Sequence, residues 1–169
     1  MVRAIMHGCN GKMGQVITGL VRDDEQIEIV AGVDAYLGIE NTYPTFKTLA
    51  ECDVEADVVI DFSNASAVNA LLDECVARKL PVVLCTTGLS EEQLQKIREA
   101  SKEVAVLKSA NMSLGVNTLL KLLQDAAKVL APAGFDMEIV EKHHNQKVDA
   151  PSGTAIAMAD SINEALGNE

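Results

Sequence analysis

From Val2 to Leu107 short apolar runs alternate with segments of helical period, which restricts this part of the chain to strands joined by crossover helices, an α/β fold around a parallel sheet. Val2 to His7 reads as a buried strand. The segment after Gly11 reads as a helix with Met13, Val16, Ile17, Leu20 and Val21 on one inward face. Ile27 to Val33, Asp57 to Phe62, Pro81 to Cys85 and Val104 to Leu107 read as further strands, and the polar stretch from Ala35 to Tyr43, with Gly38 and Pro44, as a loop. Val68 to Arg78 forms a helix that buries Val68, Leu71, Leu72 and Cys75. Ser90 caps another, with Glu91, Glu92 and Gln93 in its first turn. Residues 1–109 are thus expected to form a Rossmann-like, doubly wound dinucleotide-binding domain.

The pattern changes after Ser109. Val116, Leu119, Leu120, Leu123, Ala126, Ala127 and Leu130 share a helical face that Pro132 and Gly134 close, Asp136 to Lys142 alternates as a half-buried strand, and Thr154 to Leu166 is helical. Helix, strand and helix hold too little sheet to cover an apolar face. Residues 110–169 are therefore expected to be the incomplete N-terminal part of an α+β substrate domain.

Several function classes are disfavoured by composition. A formal net charge of -11 repels a phosphate backbone, so nucleic acid is not an expected partner. No apolar run approaches the roughly 18 residues of a membrane span, and the short apolar start runs into a glycine loop where a signal peptide would have its cleavage site. Cys9, Cys52, Cys75 and Cys85 form no CxxC pair and no metal-ligand spacing with the three histidines. Free thiols and the absence of a leader pattern lead us to expect a cytoplasmic protein without a metal.

Directly after the first strand, H-G-C-N-G-K-M-G places Gly8, Gly11 and Gly14 at the start of a helix. Such a turn lets backbone N–H groups and the helix N-terminus approach a pyrophosphate, although a tight strand-to-helix turn without a ligand uses the same glycines. Asp34 stands about twenty residues further on, at the end of the second strand, where a carboxylate accepts both ribose hydroxyls of an adenosine. An acid here repels a 2′-phosphate and no arginine follows it, so NADH is the expected preference. Lys12 offers NADPH some compensation. Cys85-Thr86-Thr87-Gly88 and Ser109-Ala110-Asn111-Met112 lie where strand ends line a cofactor crevice, or are simple strand-end turns. Cys85 has no base placed for it by sequence and reads as an inert thiol.

The segment E-I-V-E-K-H-H-N-Q-K-V-D-A-P-S-G-T-A, from Glu138 to Ala155, gathers two histidines, two lysines and a helix N-terminus in one loop. Ser152 can cap that helix while the N–H groups of Gly153 and Thr154 receive a carboxylate. Lys147 and His144 suit a second carboxylate, and a histidine that titrates near neutral pH is a natural proton donor to a carbon receiving hydride. A dicarboxylate reductase fits these groups better than a solvated polar loop does.

This motif, the G-x-x-G-x-M-G opening, Thr86-Thr87-Gly88 and Ser109-Ala110-Asn111-Met112-Ser113-x-Gly115-Val116-Asn117 closely resemble the segments of the dihydrodipicolinate reductase family, also called 4-hydroxy-tetrahydrodipicolinate reductases. The resemblance runs over essentially the whole chain. It implies NAD(P)H-dependent reduction of a cyclic dicarboxylate, with net loss of water, in lysine and diaminopimelate synthesis. His143 would be the proton donor, and Lys147 a second donor or carboxylate partner. His144, Ser152, Gly153 and Thr154 would contact substrate. Gly8, Cys9, Asn10, Gly11, Lys12, Met13, Asp34, Cys85, Thr86, Thr87, Ser109, Ala110, Asn111 and Met112 would hold the dinucleotide.

Three departures stand out. Cys85 replaces a usual Gly and Met112 an often-found Phe, the arginine that often follows the adenosine-site acid is absent, and family members continue well past Glu169. The family's homotetramers are similar to assemblies built through those later strands, so assembly of a chain of this length is in question, and a shortened chain that holds NADH without turnover is the alternative. A dinucleotide-sensing regulator would need a basic DNA-reading module that this acidic chain lacks.

Overall fold

The computed structural model describes residues 1–109, 111–145 and 150–167. The chain divides into two units, Met1–Ala110 and Asn111–Glu169.

In the first unit the elements run β1 (Val2–His7), α1 (Lys12–Val21), β2 (Ile27–Val33), β3 (Thr45–Phe46), β4 (Val58–Asp61), α2 (Val68–Ala77), β5 (Val82–Leu84), α3 (Glu91–Ala100) and β6 (Val106–Lys108). All six strands pair in parallel in the order β3-β2-β1-β4-β5-β6. The chain reverses its direction of winding between β1 and β4, which opens a crevice at the carboxyl ends of those strands. The Rossmann-like fold class expected from the alternation is the one observed.

Period-two alternation in β1 feeds both faces. Ile5 joins the larger core, with Val33, Val59, Leu71, Leu72 and Leu84, while Met6 meets Cys9, Ile29 and Tyr43 on the other side. Val68, Leu71, Leu72 and Cys75 are buried on α2 as their spacing predicts. Each such leucine stabilises the fold by about 1.5–3 kcal/mol through burial. Ser90 caps α3 in a reciprocal capping box with Gln93.

Two features differ from expectation in this unit. β3 is a two-residue edge strand, too short to carry an alternation signal. The face of α1 is also turned: Met13, Val16 and Leu20 are 46%, 53% and 73% exposed, and the helix instead packs through buried Gly14 with Ile17 and Val21. A Cβ on Gly14 would collide with the carbonyl oxygen of Gly8 and lie 2.7 Å from Cys9 Cα. This backbone-to-backbone approach, rather than the apolar stripe, sets the roll of the helix.

The second unit holds α4 (Leu114–Leu130) and α5 (Gly153–Leu166), each capped by a serine, Ser113 and Ser152. They pack together, and Ser161 Oγ donates to the Leu120 carbonyl at 3.1 Å. Val116, Leu120, Leu123 and Ala127 turn inward, whereas Leu119 and Leu130 are exposed. The strand expected over Asp136 to Lys142 is not formed. A strand is stable only when its N–H and C=O groups meet a neighbour, and among the described residues this unit has no other strand to pair with.

Candidate dinucleotide crevice and histidine loop

Around the switch point of the sheet a cavity of about 420 Å³ is lined from the ends of β1, β2 and β4 and by Lys47, just after β3. Gly8, Asn10, Gly11 and Asp34, four of the expected dinucleotide contacts, face it together with His7, Tyr36, Lys47 and Ser63. Gly8 sits at φ +82°, and a Cβ there would come within 2.6 Å of the Phe62 carbonyl oxygen, so this turn requires glycine. Its N–H donates to the Val33 carbonyl at 2.8 Å and its own carbonyl accepts from Gly11 at 3.1 Å, closing the loop on itself.

The helix that follows starts without a side-chain cap. α1 has Gly11 as its N-cap and α2, entered from a 3-10 turn, has Ala67, neither with a side-chain cap, whereas α3, α4 and α5 each begin with a capping serine. Its first N–H groups and the positive end of its dipole are available to an anion. The donor set and the space where side chains would otherwise stand fit the pyrophosphate of a dinucleotide.

Asp34 is half-buried, and its carboxylate braces the loop: Oδ2 accepts the Asn10 N–H at 3.0 Å and Oδ1 the Tyr36 N–H at 2.9 Å. A carboxylate with lone pairs to spare can still accept ribose hydroxyls. Asn10 Nδ2 donates to the Tyr36 carbonyl, and Asn41 Nδ2 donates to Asn10 Oδ1 at 2.8 Å, so the loop is tied to β2's exit on both sides.

Other expected contacts lie elsewhere. Cys9 turns its thiol into the core under the loop, where burial and then the Asp34 carboxylate push it up to about 11, while its N–H donates to the Val33 carbonyl at 3.4 Å and its carbonyl accepts from Gln15 Nε2 at 2.9 Å. Lys12 and Met13 are exposed on α1 and do not line the cavity. Cys85 is buried, its thiol raised to about 11 by burial and then by Asp61, a poor nucleophile at neutral pH. Thr87 is exposed and Ser109 half-buried, its N–H donating to the Leu84 carbonyl at 3.0 Å. In the second unit, Asn111 Oδ1 accepts the Ser113 N–H at 2.7 Å, shaping the turn into α4, and Met112 is exposed. Ala110 lies outside the described residues.

A buried network under the crevice was not anticipated. Asp61, fully buried at the end of β4, accepts from His7 Nδ1, Ser63 Oγ and Thr86 Oγ1, each at 2.6 Å. Burial alone would raise its pKa, but these hydrogen bonds outweigh it and hold the carboxyl below the ordinary aspartate value. With Asp61 ionised, His7 Nδ1 donates, and three strand ends are clamped at the crevice floor. A polar residue closing the apolar run V-V-I-D was the available signal.

In the histidine loop, Glu141 is the organiser. Its Oε1 accepts the Ser152 N–H at 2.9 Å and its Oε2 lies 3.7 Å from His143 Nδ1. Ser152 is buried and caps α5 through the Ala155 N–H at 3.1 Å. The backbone N–H groups of Gly153 and Thr154 donate to no acceptor among the described residues, the disposition expected of a carboxylate site. His144 is exposed, and Lys147 lies outside the described residues.

Comparison with known proteins brings the two units under one description. Residues 2–112 match the family model described as dihydrodipicolinate reductase, N-terminus, and residues 115–169 that of its C-terminus. A 4-hydroxy-tetrahydrodipicolinate reductase of Caldanaerobacter subterraneus is 55% identical over 98% of this chain, and one of Clostridium tetani 51% over 97%. The chain spans 65% and 64% of the lengths of those relatives. A dipicolinate-bound dihydrodipicolinate reductase from Paenisporosarcina sp. TG-14 superposes with a TM-score of 0.80 at 30% identity, covering 98% of this chain and 66% of that one.

Proposed function

This chain belongs to the dihydrodipicolinate reductase family, and on that premise we propose that it carries the dinucleotide-binding unit and the leading part of the substrate unit of a 4-hydroxy-tetrahydrodipicolinate reductase of lysine and diaminopimelate synthesis. The observation that carries this reading is the uncapped start of α1 beside the braced Asp34 at the sheet's switch point. Reduced nicotinamide dinucleotide supplies the hydride. Gly8, Asn10, Gly11 and Asp34 hold its adenosine and pyrophosphate portion, and NADH is preferred because Asp34 repels a 2′-phosphate. Thr86, Thr87, Ser109, Asn111 and Met112 belong to the nicotinamide side, with Cys9, Lys12 and Met13 on the phosphate side.

The substrate is a small cyclic dicarboxylate, in keeping with the dipicolinate bound by the Paenisporosarcina relative. One carboxylate docks on the N–H groups of Gly153 and Thr154 beside the Ser152 cap. His144 and Lys147 take the other. His143 holds the proton that the reduced carbon receives, and Glu141 orients the His143 ring. The working enzyme is a cytoplasmic homotetramer. Among the described residues no helix is long and apolar enough to cross a membrane.

Two variants test the residue assignments. His143→Gln lowers turnover about 100-fold or more with NADH affinity within about twofold, the size of a lost general acid. Asp34→Ala instead weakens NADH. Equal losses of NADH affinity in both would contradict the assignments.

A further inference from the structure

Lys47 was singled out by nothing in the sequence, yet the fold sets it beside the adenosine-site acid. β2 and β3 pair with Gly32 opposite Thr45 and Val33 opposite Phe46, and the Asp34 N–H donates to the Phe46 carbonyl at 2.9 Å. The next register position therefore holds Asp34 on one strand exit and Lys47 on the other. Both line the 420 Å³ cavity, as do Ala35 and Tyr36. No other lysine or arginine is found among the described residues of that lining, and Lys12, the cation suggested by sequence, is not part of it.

Resting on the reading of this crevice as a dinucleotide site, we propose that Lys47 is the specificity-determining residue that admits a 2′-phosphorylated adenosine beside Asp34. A carboxylate at this position excludes the 2′-phosphate by charge. Here both Asp34 oxygens already accept backbone N–H groups, from Asn10 and Tyr36, which spreads part of that charge. The Lys47 ammonium makes no ion pair among the described residues. Only its backbone N–H is held, by Glu51 Oε2 at 3.2 Å, so the flexible side chain is free to pair with a phosphate at no cost to an existing bridge. The result is a site that takes NADH through Asp34 and tolerates NADPH through Lys47.

The test is calorimetric titration of NADH and NADPH into the wild type, Lys47→Ala and Lys47→Arg at low and high salt. Lys47→Ala lowers the ratio of NADPH to NADH affinity about tenfold, the size of one charge-assisted hydrogen bond, and Lys47→Arg keeps it. Added salt narrows the gap between wild type and Lys47→Ala. An unchanged ratio in Lys47→Ala, or a wild type that binds NADH and rejects NADPH outright, overturns the role of Lys47 and leaves the dinucleotide reading standing. A wild type that binds neither overturns both.

Discussion

Asp61 shows what a single residue does in this fold. Three hydrogen bonds at 2.6 Å converge on a carboxylate with no solvent exposure, and each comes from a different part of the crevice floor. Because its folded pKa lies below the ordinary value, its contribution to stability is fully present above about pH 4, the unfolded aspartate value, and is lost as pH falls through the lower folded value. Asp61→Asn is therefore expected to cost about 1.5–3 kcal/mol at pH 7, read from denaturant unfolding. That difference should shrink at about pH 3. A difference independent of pH would mean that the charge plays no part. The glycine loop and Asp34 were legible in the sequence because their signal is a spacing along the chain. His7, Asp61 and Lys47 were not, nor was the bond from Thr86 to Asp61, because parallel register alone brings their strand ends together.

At the scale of elements, α1 and the segment 136–142 show where periodicity fails. The apolar stripe of α1 named Met13, Val16 and Leu20 as inward, but a helix lies where its closest backbone approach puts it, and that approach is at Gly14. Gly14→Ala should destabilise the fold by about 1–3 kcal/mol and loosen the phosphate turn. Unfolding in denaturant, followed by NADH titration of the variant, reads both. A neutral substitution would show that α1 can shift away from the loop without loss. The alternation over 136–142 is a real strand pattern, yet strand formation depends on a partner that local sequence does not specify. By contrast the inward face of α2 and the start of α3 were readable, since Leu71 and Leu72 are buried as their spacing predicts and Ser90 caps in place.

For the whole molecule, the fold class followed from the order of elements alone, because short strands alternating with helices leave few topologies besides a doubly wound sheet. That order puts a crevice between β1 and β4, and Gly8, Gly11 and Asp34, which the sequence marked by spacing, line it, whereas Gly14 packs beneath the loop. The histidine loop was legible as a cluster of chemical types, though its internal organiser, Glu141, emerged only from the hydrogen bonds. Calorimetric titration of NADH into this chain, with and without pyridine-2,6-dicarboxylate, reads the dinucleotide and dicarboxylate sites in one experiment. NADH is predicted to bind, and the dicarboxylate to tighten it. A chain that is folded yet takes up no NADH at any dicarboxylate concentration would contradict the assignment of the β1–β4 crevice to a dinucleotide.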